Sequence, residues 1–132
     1  MATPEDTTWL LDPHTKAKHV IIRKYLDAWY PICAGGQFEE FTYAEGFAGP
    51  GIYKGGEPGS PVIALDVFLR RRLLRPGQRL NMLLIEKRGD RMEELRRQVN
   101  KKIDEHRGRP AQLNITFRED DCTAALLPTL QQ

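Results

Sequence analysis

The chain is poor in the residues that build disulfide frameworks and metal sites, with two cysteines and three histidines in 132 residues. Cys33 and Cys122 can form one bridge at most, and they lack the paired spacing of a zinc site. This favours two structural thiols in a reducing compartment, so we expect a cytoplasmic protein. His14 and His19 are five residues apart and do not share a helical face, so the sequence predicts no metal site.

Long apolar runs are also absent. The apolar stretch 62–69 is short and is interrupted by Asp66, which excludes a segment long enough to span a bilayer. The first nine residues have neither a basic region nor an apolar core, so we expect no secretory signal.

Charge of one sign does not dominate the chain. The formal net charge of +2 is well below the concentrated positive field of an obligate nucleic-acid binder. Three arginines at 70–72 and a fourth at Arg75 form one local cluster. The cluster faces either phosphate or, as we favour, solvent at a helix end, where cations interact well with the helix dipole.

Hydrophobic periodicity predicts one domain in which helices and strands alternate. Residues 1–12 are an acidic leader without periodicity, and the cofactor-binding half of a domain is expected over 13–132. The predicted elements are a helix from His14 to Trp29 that stops before Pro31, a turn at 33–36, a strand at 41–44, a helix with Ser60 as N-cap, a strand at 80–85, a helix capped by Asp90 and a strand at 113–117. This order is typical of an α/β fold with parallel strands, half of a doubly wound sheet.

The segment EGFAGPG, from Glu45 to Gly51, follows the first predicted strand. Gly49 and Gly51 can adopt positive φ and carry no Cβ, so they allow a sharp turn and the close approach of a ligand. The third glycine of a dinucleotide fingerprint is displaced to Gly55, and a carboxylate at Glu45 would repel pyrophosphate. The carboxylate of Glu45 suits instead a cofactor with a cationic amino acid end. The alternative is that Gly-Pro-Gly forms only a turn, as it often does after a strand.

Three acids fall at the predicted strand ends: Glu45, Glu86 and Asp121. Ligands of such sheets bind beyond the carboxyl ends of the strands, so these acids form the candidate constellation. Glu86 is the natural clamp for the vicinal hydroxyls of a ribose, because a carboxylate accepts two hydrogen bonds; the alternative is a solvated strand-end acid. Asp121 either accepts from an adenine amino group or caps a helix that begins at Cys122.

Glu-x-Phe-x-Gly-x-Gly resembles the first motif of class I S-adenosylmethionine (SAM) dependent methyltransferases. The segments from Pro13 to His19, Glu45 to Gly51 and Gly55 to Pro61 resemble, more narrowly, the three-Cys-motif partner protein family. The resemblance implies a Rossmann-like fold with parallel strands in the order 3-2-1, SAM as cofactor and a partner protein that carries three cysteines. The residues it implies for the cofactor site are Glu45, Gly46, Phe47, Gly49, Gly51, Glu86 and Asp121.

A second group of candidates lies at the start of the first helix. His14 and Lys18 share a helical face at i and i+4, and with Lys16 they can reach a carboxylate of the cofactor or the substrate. A solvated first turn of the helix is the alternative, and we favour it slightly.

The sequence ends at Gln132, soon after the third predicted strand, and it contains no Asn-Pro-Pro-Tyr motif. We therefore expect the catalytic half to lie outside this chain, and a second copy or a longer protein to cover the edge of strand 1. The catalytic residues and the methyl acceptor are unknown, and a nucleic-acid substrate rests on analogy alone. The alternatives are an interaction module that keeps the fold without the chemistry, and a nicotinamide or flavin domain, which Glu45 disfavours.

Overall fold

A computed structural model describes residues 6–121 as three parallel strands and three helices. The elements are α1 (Pro13–Gly35), β1 (Glu40–Glu45), α2 (Ser60–Arg70), β2 (Arg79–Ile85), α3 (Gly89–Glu105) and β3 (Leu113–Arg118). The predicted α/β class and the alternation of helix and strand are confirmed. The helix expected after Asp121 and the residue Cys122 lie outside the described residues.

The sheet has β2 at its centre, in the order β1-β2-β3. This is the predicted order 3-2-1 counted from the opposite edge. Both pairings are parallel, with Glu45 opposite Leu84 and Leu84 opposite Phe117, so the carboxyl ends of all three strands meet at one edge. The residues that directly follow the three strands therefore lie at the same end of the sheet.

The helices pack together on one face of the sheet, with α2 between α1 and α3. Helix α2 is buried along nearly its whole length because its sequence is almost entirely apolar. Alternate residues of β2 point to opposite faces: Leu80, Met82 and Leu84 join the main core with the helices, whereas Leu83 and Ile85 form a separate buried pair.

Helix α1 is longer than predicted, and its expected end before Pro31 is wrong. The helix continues through Pro31 to Gly35, so the predicted turn at 33–36 is mostly helical. Pro31 has no N–H to give to the carbonyl of Asp27, but Arg71 Nη1 donates to that oxygen at 3.1 Å. The extra turn also buries Cys33, and this burial raises the pKa of the thiol.

Two arginines of the cluster donate hydrogen bonds to backbone carbonyls at the ends of helices of the same chain. Arg75 Nε donates to the carbonyl of Ala34 at 3.1 Å and its Nη2 donates to the carbonyl of Gly36, so it caps the end of α1. Arg72 Nη2 donates to the carbonyl of His106 at 3.3 Å. These guanidinium groups satisfy carbonyls that a helix end leaves without helical partners.

A buried carboxylate connects the three helices. Asp66 of α2 accepts from Arg23 Nη1 of α1 at 3.0 Å, lies 3.2 Å from His106 Nε2 and 3.9 Å from Lys102 Nζ, and also binds Arg70. Burial raises the pKa of Asp66, but the hydrogen bonds and the neighbouring cations outweigh it and hold the pKa below its usual range. The acid that interrupts the apolar run is therefore compensated at the centre of the helical layer.

Within residues 6–121, no helix is long and apolar enough to cross a membrane. The same part of the chain contains no group of three or more histidines, cysteines or acids arranged to hold a metal ion.

A buried amide joins the end of α1 to the start of β2. Gln78 Nε2 donates to the carbonyls of Ala34 and Phe38, both at 3.0 Å, and its Oε1 accepts from Arg75 N at 2.7 Å. The single side chain of Gln78 thus serves three backbone groups, and no apolar residue can replace it.

We expect Gln78→Ala to lower the free energy of unfolding by about 1–3 kcal/mol, because the partly buried Phe38 carbonyl and Arg75 N lose their side-chain partner. Urea unfolding curves measure the change. Gln37→Ala is the matched control, since Gln37 is exposed and should shift stability by less than about 0.5 kcal/mol. Equal midpoints for the two variants would show that the amide contributes nothing.

Candidate functional site

A cavity of about 230 Å³ opens at the carboxyl end of the sheet. It is lined by Trp9, Phe47, Ala48, Gly49, Pro50, Gly51, Ile52, Tyr53, Gly59, Ser60, Glu86 and Arg91. Most of these residues belong to the loop between β1 and α2, here called the glycine loop (residues 46–59). The cavity lies where parallel α/β sheets place their ligands.

The glycine loop is fastened to the end of β2 by two hydrogen bonds. Ala48 N donates to the carbonyl of Ile85 at 2.9 Å, and Gly49 N donates to Glu86 Oε2 at 3.1 Å. Gly49 has a φ of +70°, a conformation that residues with a side chain rarely adopt. The loop therefore turns sharply at Gly49 while its backbone remains attached to the sheet.

Gly51 serves packing as well as the turn. Its φ is +80°, and a Cβ added there would lie 3.0 Å from Leu95 Cδ1 and 3.3 Å from Val62 Cγ2. A Cβ on Gly59 would lie 3.2 Å from the backbone of Gly51. The absence of a side chain at Gly51 lets the loop pack against α2 and α3, a role distinct from the ligand approach that we expected.

The displaced third glycine belongs to a small excursion of the loop. Ile52 and Pro58 form an antiparallel bridge, and Tyr53 N donates to the carbonyl of Glu57 at 2.9 Å. Gly56 turns the chain with a φ of +88° and donates to the carbonyl of Tyr53 at 2.9 Å. The excursion places Tyr53 at the cavity and accounts for the extra length of the loop.

Glu45 ends β1 next to two hydroxyl groups. Ser60 Oγ donates to Glu45 Oε1, and Tyr43 OH donates to Glu45 Oε2 at 2.9 Å. Burial raises the pKa of Glu45 to about 7, even though both hydrogen bonds lower it. Ser60 lines the cavity, whereas Glu45 is not among the lining residues and is joined to the cavity wall by its hydrogen bond with Ser60.

The same contact corrects the predicted start of α2. Ser60 is the first helical residue, and Gly59 takes the N-cap position without a side-chain hydrogen bond. Ser60 does not cap the helix because its hydroxyl donates to Glu45 instead. The serine is thereby held at the cavity wall.

Glu86 follows β2 and is a buried member of the cavity wall. It is 8% exposed, so it is not a solvated strand-end acid. Oε2 accepts from Gly49 N, and Oε1 lies 3.5 Å from Arg88 N. A carboxylate has about four acceptor positions, so the side chain retains capacity for hydroxyl donors from a ligand.

The other predicted cofactor residues take different positions. Phe47 lies at the cavity and is 86% exposed. Gly46 and Asp121 are not among the residues that line the cavity, and Asp121 is exposed. The structure thus brings Phe47, Gly49, Gly51 and Glu86 together around one cavity.

The basic residues at the start of α1 do not line this cavity. His14, Lys16 and Lys18 have exposed side chains. His19 lies closer, with its Nε2 at 3.5 Å from Tyr53 OH, and burial lowers the pKa of its imidazole. The structure therefore does not bring His14, Lys16 or Lys18 into the lining of the cavity.

Sequence reasoning missed several residues of the cavity wall as site candidates, among them Ser60 and the larger side chains of Trp9, Tyr53 and Arg91. Trp9 begins the apolar run 9–11 at the end of an acidic leader, and that run is a usable signal for packing onto the domain. Tyr53 belongs to the excursion, whose path the sequence did not predict. Arg91 lies on a charged face of α3 and carries no pattern of its own.

Comparisons with protein-family models, with curated proteins and with solved structures found no match to this chain.

We expect Gly51→Ala to destabilise the protein by at least about 2 kcal/mol, because it combines an unfavourable positive φ with overpacking against Leu95. Gly56→Ala is the matched control. Gly56 also has positive φ, but a Cβ there meets nothing within 4 Å, so only the backbone cost of about 1 kcal/mol applies. Denaturant unfolding compares the two, and equal losses would contradict the packing role of Gly51.

The raised pKa of Glu45 predicts a specific pH dependence of stability. Between the usual carboxyl pKa of 4.5 and the folded value of about 7, the folded protein binds more protons than the unfolded chain. The contribution of Glu45 to the free energy of unfolding therefore falls as pH rises through this range. Glu45→Gln removes this contribution.

Unfolding by urea at pH 5 and at pH 8 tests this expectation. The difference in the free energy of unfolding between Glu45→Gln and the wild type should shift in favour of the variant by at least about 1 kcal/mol on going from pH 5 to pH 8. Glu57→Gln, an exposed acid of the same loop, should follow the wild type. A Glu45→Gln profile parallel to the wild type would mean that Glu45 titrates normally in the folded protein.

Proposed function

We propose that this chain is the SAM-binding portion of a SAM-dependent methyltransferase similar to the three-Cys-motif partner proteins, with a Rossmann-like fold. The observation that carries the proposal is the attachment of Gly49 to Glu86 at the cavity. A glycine turn after β1 and an acid after β2 are the two elements that a nucleoside cofactor needs at the carboxyl edge of such a sheet.

Glu86 is assigned to the ribose. Its buried carboxylate already accepts from Gly49 N and retains acceptor positions toward the cavity. Two vicinal hydroxyls can donate to these positions, and hydrogen bonds to a charged acceptor are stronger than those between neutral groups. The loop and the ribose are thus held by one side chain.

Ser60 and Glu45 are assigned to the cationic amino acid end of the cofactor. The hydroxyl hydrogen of Ser60 is donated to Glu45, so the oxygen of Ser60 remains free to accept from an ammonium group. A cation at this position favours the ionised form of Glu45 and lowers its pKa. We therefore infer that cofactor binding is accompanied by loss of a proton from Glu45 near neutral pH.

SAM, when bound, supplies an electrophilic methyl group on a sulfonium. The residues assigned above bind and orient that donor, and positioning of the reactants contributes much of the rate of such a transfer. We assign no catalytic residue and no methyl acceptor. The arginines at 71, 72 and 75 donate to backbone carbonyls within the chain, so they lend no support to a nucleic-acid substrate.

The alternative, an interaction module without chemistry, is favoured by a separate surface. Ile21, Tyr25 and Ile32 share one face of α1 and are 66%, 64% and 69% exposed. In the described part of the chain, β1 pairs with β2 alone. An apolar helix face and a free strand edge suit a protein partner, for which a three-cysteine protein, a second copy and a C-terminal half are the candidates.

Calorimetric titration with S-adenosylhomocysteine, with NADH as the control ligand, tests the proposal. We expect binding of the former alone. Glu86→Gln retains one oxygen for Gly49 but loses the charge, so affinity should fall about tenfold. Glu39→Gln changes an exposed acid just before β1 and should leave affinity unchanged.

Failure of the folded wild-type chain to bind S-adenosylhomocysteine would favour the interaction module. Preference for NADH would instead support a nicotinamide domain. Equal affinity of Glu86→Gln and the wild type would remove Glu86 from the ribose site.

A further inference from the structure

Residues 6–9, here called the N-terminal strap, are held at the start of α3. Arg91 Nη2 donates to the carbonyl of Asp6 at 2.9 Å, and Thr7 Oγ1 donates to Asp90 Oδ2 at 2.6 Å. These contacts join residues more than 80 positions apart in the chain. The prediction that Asp90 caps α3 is wrong: the helix begins at Gly89 after the N-cap residue Arg88, and the carboxylate of Asp90 accepts from Thr7 and from the Arg88 side chain.

The strap is also held by the glycine loop, through Lys54, at both of its ends. Lys54 N donates to the carbonyl of Trp9 at 2.9 Å, and Lys54 Nζ lies 3.8 Å from Asp6 Oδ2. The ring of Trp9 packs edge-on against Tyr53 with centroids 5.9 Å apart. The strap therefore spans from α3 to the excursion of the loop.

The side chain of Trp9 lines the cavity. Arg91 Cζ lies 4.7 Å from the centroid of the Trp9 ring, a cation–π contact that fixes the orientation of the indole. Trp9 Cη2 would lie 3.8 Å from a Cβ on Gly49, so the ring covers the turn of the loop. Trp9 is only half-buried, and it lines the cavity together with the exposed ring of Phe47.

A half-buried indole beside an exposed phenyl ring provides apolar area that the described chain itself leaves uncovered. Aromatic rings of this kind hold a planar base by stacking or by edge contact, with little loss of side-chain entropy because the indole is already fixed. We propose that the N-terminal strap is part of the binding site and that Trp9 contacts the base of a nucleoside ligand. This inference rests on the proposed function and adds Trp9 as a residue that determines specificity.

The first experiment uses the intrinsic fluorescence of Trp9. The chain has two tryptophans, and Trp29 packs in the core against Phe41, so Trp29→Phe leaves Trp9 as the single reporter. We expect S-adenosylhomocysteine and adenosine each to change the emission of this variant. Calorimetric binding without any change in Trp9 emission would overturn the inference and leave the proposed function standing.

The second experiment compares variants of the strap by calorimetry. Trp9→Ala should lower the affinity for adenosine and for S-adenosylhomocysteine by the same factor of about ten, because both ligands carry the base. Trp9→Phe should recover part of the lost affinity. Leu10→Ala is the matched control, since Leu10 is the exposed neighbour of Trp9. Trp9→Ala affinities equal to those of Leu10→Ala would overturn the inference. Absence of binding to the folded wild-type chain would overturn both the inference and the proposed function.

Discussion

The buried carboxylate of Glu86 is the constraint on which the site depends. Its backbone N donates to the carbonyl of Arg118 at 3.0 Å, and its carbonyl accepts from Asp120 N at 3.1 Å, so the residue continues the pairing between the ends of β2 and β3. Its side chain accepts from Gly49 N. Because a buried charge must be compensated by hydrogen bonds, the glycine loop cannot move away without exposing or orphaning this group. One residue thus fixes the position of the loop relative to the sheet.

Under the proposed function, this arrangement links the order of the loop to ligand binding. Hydroxyl groups that donate to Glu86 would share the acceptor that holds Gly49, so the ligand and the loop stabilise the same side-chain position. Gly51 reinforces it from the other side, since its missing Cβ allows the loop to rest on Leu95 of α3. Preorganisation of this kind lowers the entropy lost when a ligand binds.

The sequence predicts the parts of this structure that depend on local pattern. The apolar run of β2 followed by Glu86, and the turn at Gly49, were expected from neighbouring residues alone. The end of α1 was not, because the carbonyl that Pro31 leaves unpaired is satisfied by Arg71, 44 residues from Asp27. Ser60 has the pattern of an N-cap, but Glu45, 15 residues earlier, takes its hydroxyl. Errors therefore arise where a partner distant in sequence outcompetes a local preference.

The two candidate roles use different surfaces, so either one can be correct without the other. The cavity is lined by the glycine loop, Trp9 of the strap, Ser60, Glu86 and Arg91, and no residue of α1 contributes to it. The exposed face of α1 is carried by Ile21, Tyr25 and Ile32. His19 of α1 contacts Tyr53 of the loop, but none of the three exposed apolar residues of α1 lines the cavity, so a partner on that face would leave the cavity lining unchanged. The two surfaces are therefore compatible with one protein that binds a cofactor and a partner together.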